Sequence, residues 1–137
     1  MPAINQPLSN TYYVAKASVL NASEVIPYGH VAMQVSGQIR AALTAVSGSK
    51  LLGMVLAGQG LVETTGSDYT LPQPAVFARG LVVYLDAKAS DEPTAANLGG
   101  PVYLSTSSEV KATSAANDLS LTCVDIRSDG KIGVYIP

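Results

Sequence analysis

Leu81-Val82-Val83-Tyr84-Leu85-Asp86, followed after a loop by Pro101-Val102-Tyr103-Leu104-Ser105, is the stretch that decides the fold. Both runs concentrate β-branched and aromatic residues, which lose χ1 freedom in a helix and suit a pleated surface. Each ends in a short polar or small-residue exit. The chain is therefore read as built from strands.

Toward the C-terminus, Asp129-Gly130 separates Val124-Asp125-Ile126-Arg127 from Ile132-Gly133-Val134-Tyr135-Ile136. That spacing predicts a hairpin closed by a two-residue turn with both central residues at positive φ. Toward the N-terminus, residues 11 to 20 alternate as one strand, with Tyr13, Ala15, Ala17 and Val19 on a common face. Pro27-Tyr28-Gly29 interrupts, and Ser36-Gly37 then forms a tight turn between a strand carrying Val31, Met33 and Val35 and one carrying Ile39, Ala41 and Leu43. Further strands are predicted over residues 51 to 56, 60 to 65 and 69 to 71, the last ended by Pro72 and Pro74, which cannot donate to a ladder. Residues 75 to 79 predict one helical turn capped by Gly80, the only helix expected, and residues 87 to 101 a loop. About nine to eleven short strands at this turn spacing define an all-β protein. The expected architecture is a single-domain β-barrel or β-sandwich, jelly-roll-like, over residues 11–137. Residues 1–10, with two prolines, two asparagines and no periodicity, are expected to form an extended N-terminal arm.

With 137 residues and 47% hydrophobic content, the chain can bury a core without a staple. Lys+Arg 8 against Asp+Glu 10 is nearly balanced, and Lys16, Lys50, Lys88, Lys111 and Lys131 are spread along the length. No basic cluster displaces counterions from phosphates, so neither nucleic acid nor an anionic membrane is an expected partner. Only 13% of residues are charged, about half the usual share, which fits a surface that packs against other proteins. Cys123 stands alone, which rules out an intrachain disulfide and a Cys-rich zinc site, and it reads as an inert buried thiol. Met1-Pro2-Ala3-Ile4-Asn5 does not resemble a secretory signal, and no run has the length of a membrane span, so synthesis in a cytoplasm is expected. The acceptor-like Asn21-Ala22-Ser23 is accidental on that reading.

His30 is the only histidine and no Gly-x-Ser-x-Gly elbow occurs, so it is expected to be an ordinary edge residue rather than a base or ligand. Gly58-Gln59-Gly60 meets Glu63 where a dinucleotide fingerprint needs glycine, and Gly48-Ser49-Lys50 lacks phosphate-loop spacing. Asp125 and Asp129-Gly130 resemble part of a calcium loop, but Arg127 stands at the middle position and repels a cation. Asp86, Asp91 and Glu92 read as solvated charge beside a loop. With no Trp and one Phe, the chain lacks the aromatic platforms of a glycoside cleft. No catalytic, cofactor-binding or metal-binding residue is assigned, no cofactor is expected, and the protein is expected not to be an enzyme.

The order of elements carries a resemblance. Glu24-Val25-Ile26-Pro27-Tyr28-Gly29-His30-Val31 leads to Leu52-Gly53-Met54-Val55, then to Ala78-Arg79-Gly80-Leu81-Val82-Val83-Tyr84-Leu85-Asp86. Val102-Tyr103-Leu104-Ser105-Thr106 with Glu109-Val110-Lys111-Ala112-Thr113 follows, and Gly130-Lys131-Ile132-Gly133-Val134-Tyr135-Ile136 closes the series. Over most of residues 19 to 136 this resembles the head-decoration, or capsid cement, proteins of tailed bacteriophages. The resemblance implies a β-barrel or sandwich on the outer capsid surface of the virion that bridges major capsid protein subunits, as a homo-oligomer, dimer or trimer. It implies no catalytic residues. The competing class is a carbohydrate- or receptor-binding module of a fibre or surface adhesin, whose mark is a patch of exposed aromatics. Tyr69, Tyr84, Tyr103 and Tyr135 lie in strands and are expected to be half-buried core residues, which leaves Tyr12, Tyr13 and Tyr28 as candidates. The loop at 87 to 101 is longer than a minimal strand connection and is a candidate contact.

Overall fold

A computed structural model describes residues 11–15 (backbone only), 19–42, 47–56, 60–64 and 66–137, and it is almost entirely β. The strands are β1 (Thr11–Ala15), β2 (Val19–Leu20), β3 (Val25–Ile26), β4 (Val31–Val35), β5 (Gln38–Ala41), β6 (Lys50–Val55) and β7 (Leu61–Val62). They continue as β8 (Tyr69–Thr70), β9 (Ala75–Arg79), β10 (Leu81–Ala87), β11 (Pro101–Thr106), β12 (Glu109–Lys111), β13 (Ser120–Ile126) and β14 (Ile132–Ile136). Strands 10 to 14 close a five-stranded barrel in the order β10-β12-β11-β13-β14. The earlier part of the chain forms an open seven-stranded sheet, β1-β9-β6-β4-β5-β2-β8, and a two-stranded ribbon, β3-β7. The all-β reading holds, and the expected arm at residues 1–10 lies outside the described residues.

Two cores follow from this division. Val83, Leu85, Val102, Leu104, Val110, Leu121, Cys123, Ile132, Val134 and Ile136 fill the barrel. Leu20, Ala32, Ile39, Leu52, Val55, Ala75 and Phe77 from the sheet close on Ile26 and Leu61 of the ribbon. Strand β4 links the two, because successive side chains leave a strand on opposite faces. Val31 joins the barrel core and Ala32 the sheet core, and both are fully buried. Ala42 also packs into the barrel core. At the seam the Val31 N–H donates to Ser107 O at 2.7 Å and the Gly80 N–H to Ile136 O at 2.6 Å.

Several expectations are corrected. Residues 75 to 79 are not a helical turn but β9, hydrogen-bonded between β1 and β6. Pairing on both edges outweighs the local helical option of two alanines and a following glycine. The only helix among the described residues is instead a 3₁₀ turn, Ala95–Asn97, inside the predicted loop. The single strand expected over 11 to 20 is two strands with different partners, β1 on β9 and β2 between β5 and β8. The Ser36-Gly37 turn is as expected, with φ of 51° and 77° and Val35 facing Gln38.

The Asp129-Gly130 hairpin exists, but its turn is wider than predicted. Of the turn residues only Gly130 has positive φ, at 89°. The Gly130 N–H donates to Arg127 O at 3.0 Å and the Arg127 N–H to Lys131 O at 2.9 Å. Asp129 holds this wider loop by accepting the Lys131 N–H at 3.1 Å and the Arg127 guanidinium at 2.7 Å.

Long connections in the barrel are fixed by carboxylates. Asp118 receives Lys111 Nζ at 3.1 Å in a buried ion pair and the Ala115 N–H at 2.6 Å. Asp91 takes the Thr113 N–H at 3.2 Å and the Thr113 hydroxyl at 3.0 Å, and so ties the loop after β10 to the loop after β12. Among the described residues no buried side-chain polar atom lacks a partner.

Candidate interaction surface

Strand register places two rows of side chains on the outer face of the barrel. Val82 on β10, Tyr135 on β14 and Thr122 on β13 are direct neighbours across three strands. Tyr84, Gly133 and Asp125 form the next row. Cross-strand neighbours of this kind are in contact. Between the rows a register shift at Cys123/Asp125 leaves Val124 exposed on the same sheet.

The second row is locked. A Cβ on Gly133 would lie 3.0 Å from Tyr84 Cε1, so the phenol ring occupies the space that only glycine leaves open. The Tyr84 hydroxyl donates to Asp125 at 2.7 Å, and the Arg127 guanidinium stands over the ring at 5.0 Å from its centroid. The hydrogen bond to Asp125 is the main cause that raises the Tyr84 pKa above the ordinary tyrosine value, with partial burial and the Asp125 charge adding and Arg127 opposing. Tyr135 in the first row stays 41% exposed beside Val82.

The other half carries a second apolar surface. Val25 and Val62 face each other on the ribbon and are 56% and 43% exposed, with Tyr28 at 56% shortly after β3. Beneath the ribbon a polar network sets its position. Glu63, buried, accepts the Ser23 N–H at 3.0 Å and the Gly66 N–H at 2.7 Å, while Arg40 pairs with Glu24 at 3.0 Å. Asp68 accepts the Ala22 N–H at 3.0 Å and a bond from Gln38.

Other residues singled out in the sequence fall in place around these faces. His30 Nδ1 lies 2.9 Å from Ser107 Oγ, a pair that spans the seam between sheet and barrel. Cys123 is buried in the barrel core, where burial pushes its thiol pKa up. Asp125 and Asp129 are engaged by Tyr84 and by Arg127, so the calcium-loop resemblance does not converge on an ion. Among the described residues no three His, Cys, Asp or Glu side chains group as a metal site. Asp86 on β10 pairs with Lys131, just before β14.

The tyrosine expectation divides. Tyr28 is exposed as anticipated, and Tyr69 and Tyr103 are half-buried. Tyr84 and Tyr135 depart from it by standing on the outside of the barrel. Tyr12 and Tyr13 belong to β1, and their side chains lie outside the described residues. No protein-family model, curated protein or solved structure matches this chain.

Proposed function

We propose that this protein decorates the outer surface of a tailed-phage head, where it bridges major capsid protein subunits and stabilises the shell without catalysing a reaction. One observation carries this reading: each half of the molecule presents its own exposed apolar and aromatic residues, Val82, Tyr135 and Val124 on the barrel and, on the other half, Val25 and Val62 of the ribbon with Tyr28 in the turn that follows β3. Exposed apolar groups clustered on a lightly charged protein mark contact surfaces. Two such faces on one body suit a bridge, because the second contact becomes intramolecular and raises avidity by about 10² to 10⁴. The order of strands and turns that resembles the cement proteins supports the same assignment. Outer-capsid location and assembly as a dimer or trimer belong to this proposal.

The test compares heads with and without the protein under heating. Decorated heads are expected to retain their contents at temperatures that open bare heads. Equal survival overturns the reading. Exposed Tyr28 and Tyr135 favour a second reading, a glycan- or receptor-binding module, and binding of purified protein to host glycan but not to heads would establish it instead.

A further inference from the structure

Asp129-Gly130 is the only place in the chain where glycine follows an aspartate or an asparagine. Glycine has no Cβ to shield its amide nitrogen, so that nitrogen can attack the carboxyl carbon of the residue before it. Asp129 and Gly130 are both exposed, and a Cβ built at Gly130 meets nothing within 4 Å, so the fold leaves water and space for this reaction. It does not leave a free reacting group. The Gly130 N–H donates to Arg127 O at 3.0 Å. One oxygen of the Asp129 carboxylate accepts the Lys131 N–H at 3.1 Å, and the other accepts the Arg127 guanidinium at 2.7 Å. Arg127 is itself placed by Tyr84, over whose ring its guanidinium lies at 5.0 Å from the centroid.

We infer that the Asp129-Gly130 bond is a site of spontaneous isomerisation to isoaspartate, and that Arg127 keeps it closed in the folded protein. In this reaction the Gly130 nitrogen bonds to Asp129 Cγ and gives up its proton. The C–OH bond of the protonated carboxyl breaks, and water leaves behind a five-membered succinimide. Water then adds at the former main-chain carbonyl of Asp129, and the bond from that carbonyl to nitrogen breaks. No oxidant, reductant or cofactor enters, and the water lost in the first step is regained in the second. The backbone of the product runs through Cβ and Cγ of residue 129, one atom longer than before.

Arg127 restrains both reacting partners. Its carbonyl holds the Gly130 N–H, which must be released before ring closure. Its guanidinium pairs with the ionised carboxylate, whereas water can leave only from the protonated one. The second carboxylate oxygen is occupied by Lys131, so neither oxygen is free to depart. Removing the guanidinium releases the carboxylate alone and leaves the carbonyl bond in place.

Incubating the full-length protein at neutral pH tests this, with residue 129 read by chromatography and electron-transfer fragmentation, which separate the two isomers of equal mass. The folded chain should form isoaspartate at residue 129 at least about tenfold more slowly than the same chain unfolded in denaturant, because its hydrogen bonds must open first. Folded Arg127→Met should form it about three- to tenfold faster than the folded unsubstituted protein, and Arg127→Lys, which keeps a cation, should fall between them. Amide protection along β13 and β14 should be the same in Arg127→Met as in the unsubstituted protein. Equal rates in the folded and unfolded chains, or in Arg127→Met and the unsubstituted protein, overturn the inference. A faster rate in Arg127→Met that comes with lost protection of both strands assigns the restraint to hairpin pairing as a whole and overturns the role of Arg127. None of these outcomes depends on capsid binding.

Discussion

The two halves solve the same problem, a row of short strands around an apolar core, in different ways. The barrel closes on itself, with β10 bonded to β14 on one side and to β12 on the other, and so leaves no free edge. The other half remains open: among the described residues β1, β8 and the ribbon strand β7 each pair on one side only. Its core is completed by the ribbon laid across the sheet and by β4, whose far face belongs to the barrel. The comparison teaches that the barrel is closed without the sheet, while the sheet is completed against the barrel, and that further strand pairing is available only on the open half.

The strongest way to break this picture is to empty one core at a time. Phe77→Ala in the sheet core should cost about 3 to 5 kcal/mol and Leu104→Ala in the barrel about 2 to 5. Both residues are fully buried. Because Val31 and Ala42 share the barrel core, one unfolding transition is expected in both variants, moved to lower denaturant in each. Two separated transitions, with only one displaced by each substitution, would make the halves independent.

Next in size is the buried ion pair of the barrel. Lys111→Met leaves Asp118 charged and buried with the Ala115 N–H as a remaining partner, and should destabilise by about 3 kcal/mol in chemical denaturation. A loss confined to amide protection around residues 112 to 118 would make the pair a local clamp rather than part of the barrel's cooperative unit.

Two glycines sharpen the contrast between sheet and barrel. Gly53 in β6 has φ of 135°, and a Cβ there would approach Ala78 O to 2.6 Å, backbone against backbone. Gly53→Ala should cost about 1 to 3 kcal/mol, since neither strand can yield freely. Gly130, in the barrel's last turn, has open space around it, so Gly130→Val meets only the strain of positive φ, about 1 to 2 kcal/mol. Gly130→Asn should recover most of that loss and Gly53→Asn none, as read from melting midpoints.

The smallest effect is the pH dependence of Tyr84. A folded-state pKa above the unfolded value means the folded protein holds the phenolic proton more tightly, so the stabilisation is complete below the ordinary value of 10.0 and lost as pH rises through the folded value. The midpoint difference between unsubstituted protein and Tyr84→Phe should therefore be full below pH 10.0 and shrink as pH rises above it. A difference that stays constant or grows would sever the hydroxyl from Asp125.

Where the sequence was legible, one face of a strand was apolar and the turn chemistry was local. The Ser36-Gly37 hairpin is of this kind, and so is the hairpin read between residues 124 to 127 and 132 to 136, whose first strand runs back to Ser120 and whose turn is wider than its Asp-Gly pair predicts. Residues 75 to 79 were misread because Ala75, Phe77 and Ala78 are all buried, which blurs the period of two, and β9 is decided by neighbours distant in sequence. The outer barrel face was hidden for a related reason. In residues 81 to 85 both alternating sets are apolar, Val83 and Leu85 as well as Val82 and Tyr84, so alternation cannot tell which set meets the core. Closure of the barrel chooses, and it leaves Val82, Tyr84 and Tyr135 outside. The locking of Tyr84 over Gly133 likewise needed the register, since the two lie far apart in the chain.

Gly80 alone separates the last strand of the sheet from the first of the barrel, at φ of 71°. Thr11 pairs with Arg79 just before it and Ile136 with Leu81 just after it, while Arg79 Nε reaches Pro137 O at 2.8 Å. The folded path thus returns to its own starting point, like a necklace whose clasp lies over one bead. A chain reordered by a short tether from residue 137 to residue 11 and reopened in the exposed loop at 113 to 117 keeps every strand pair, so the start of translation can be moved while the shape is retained.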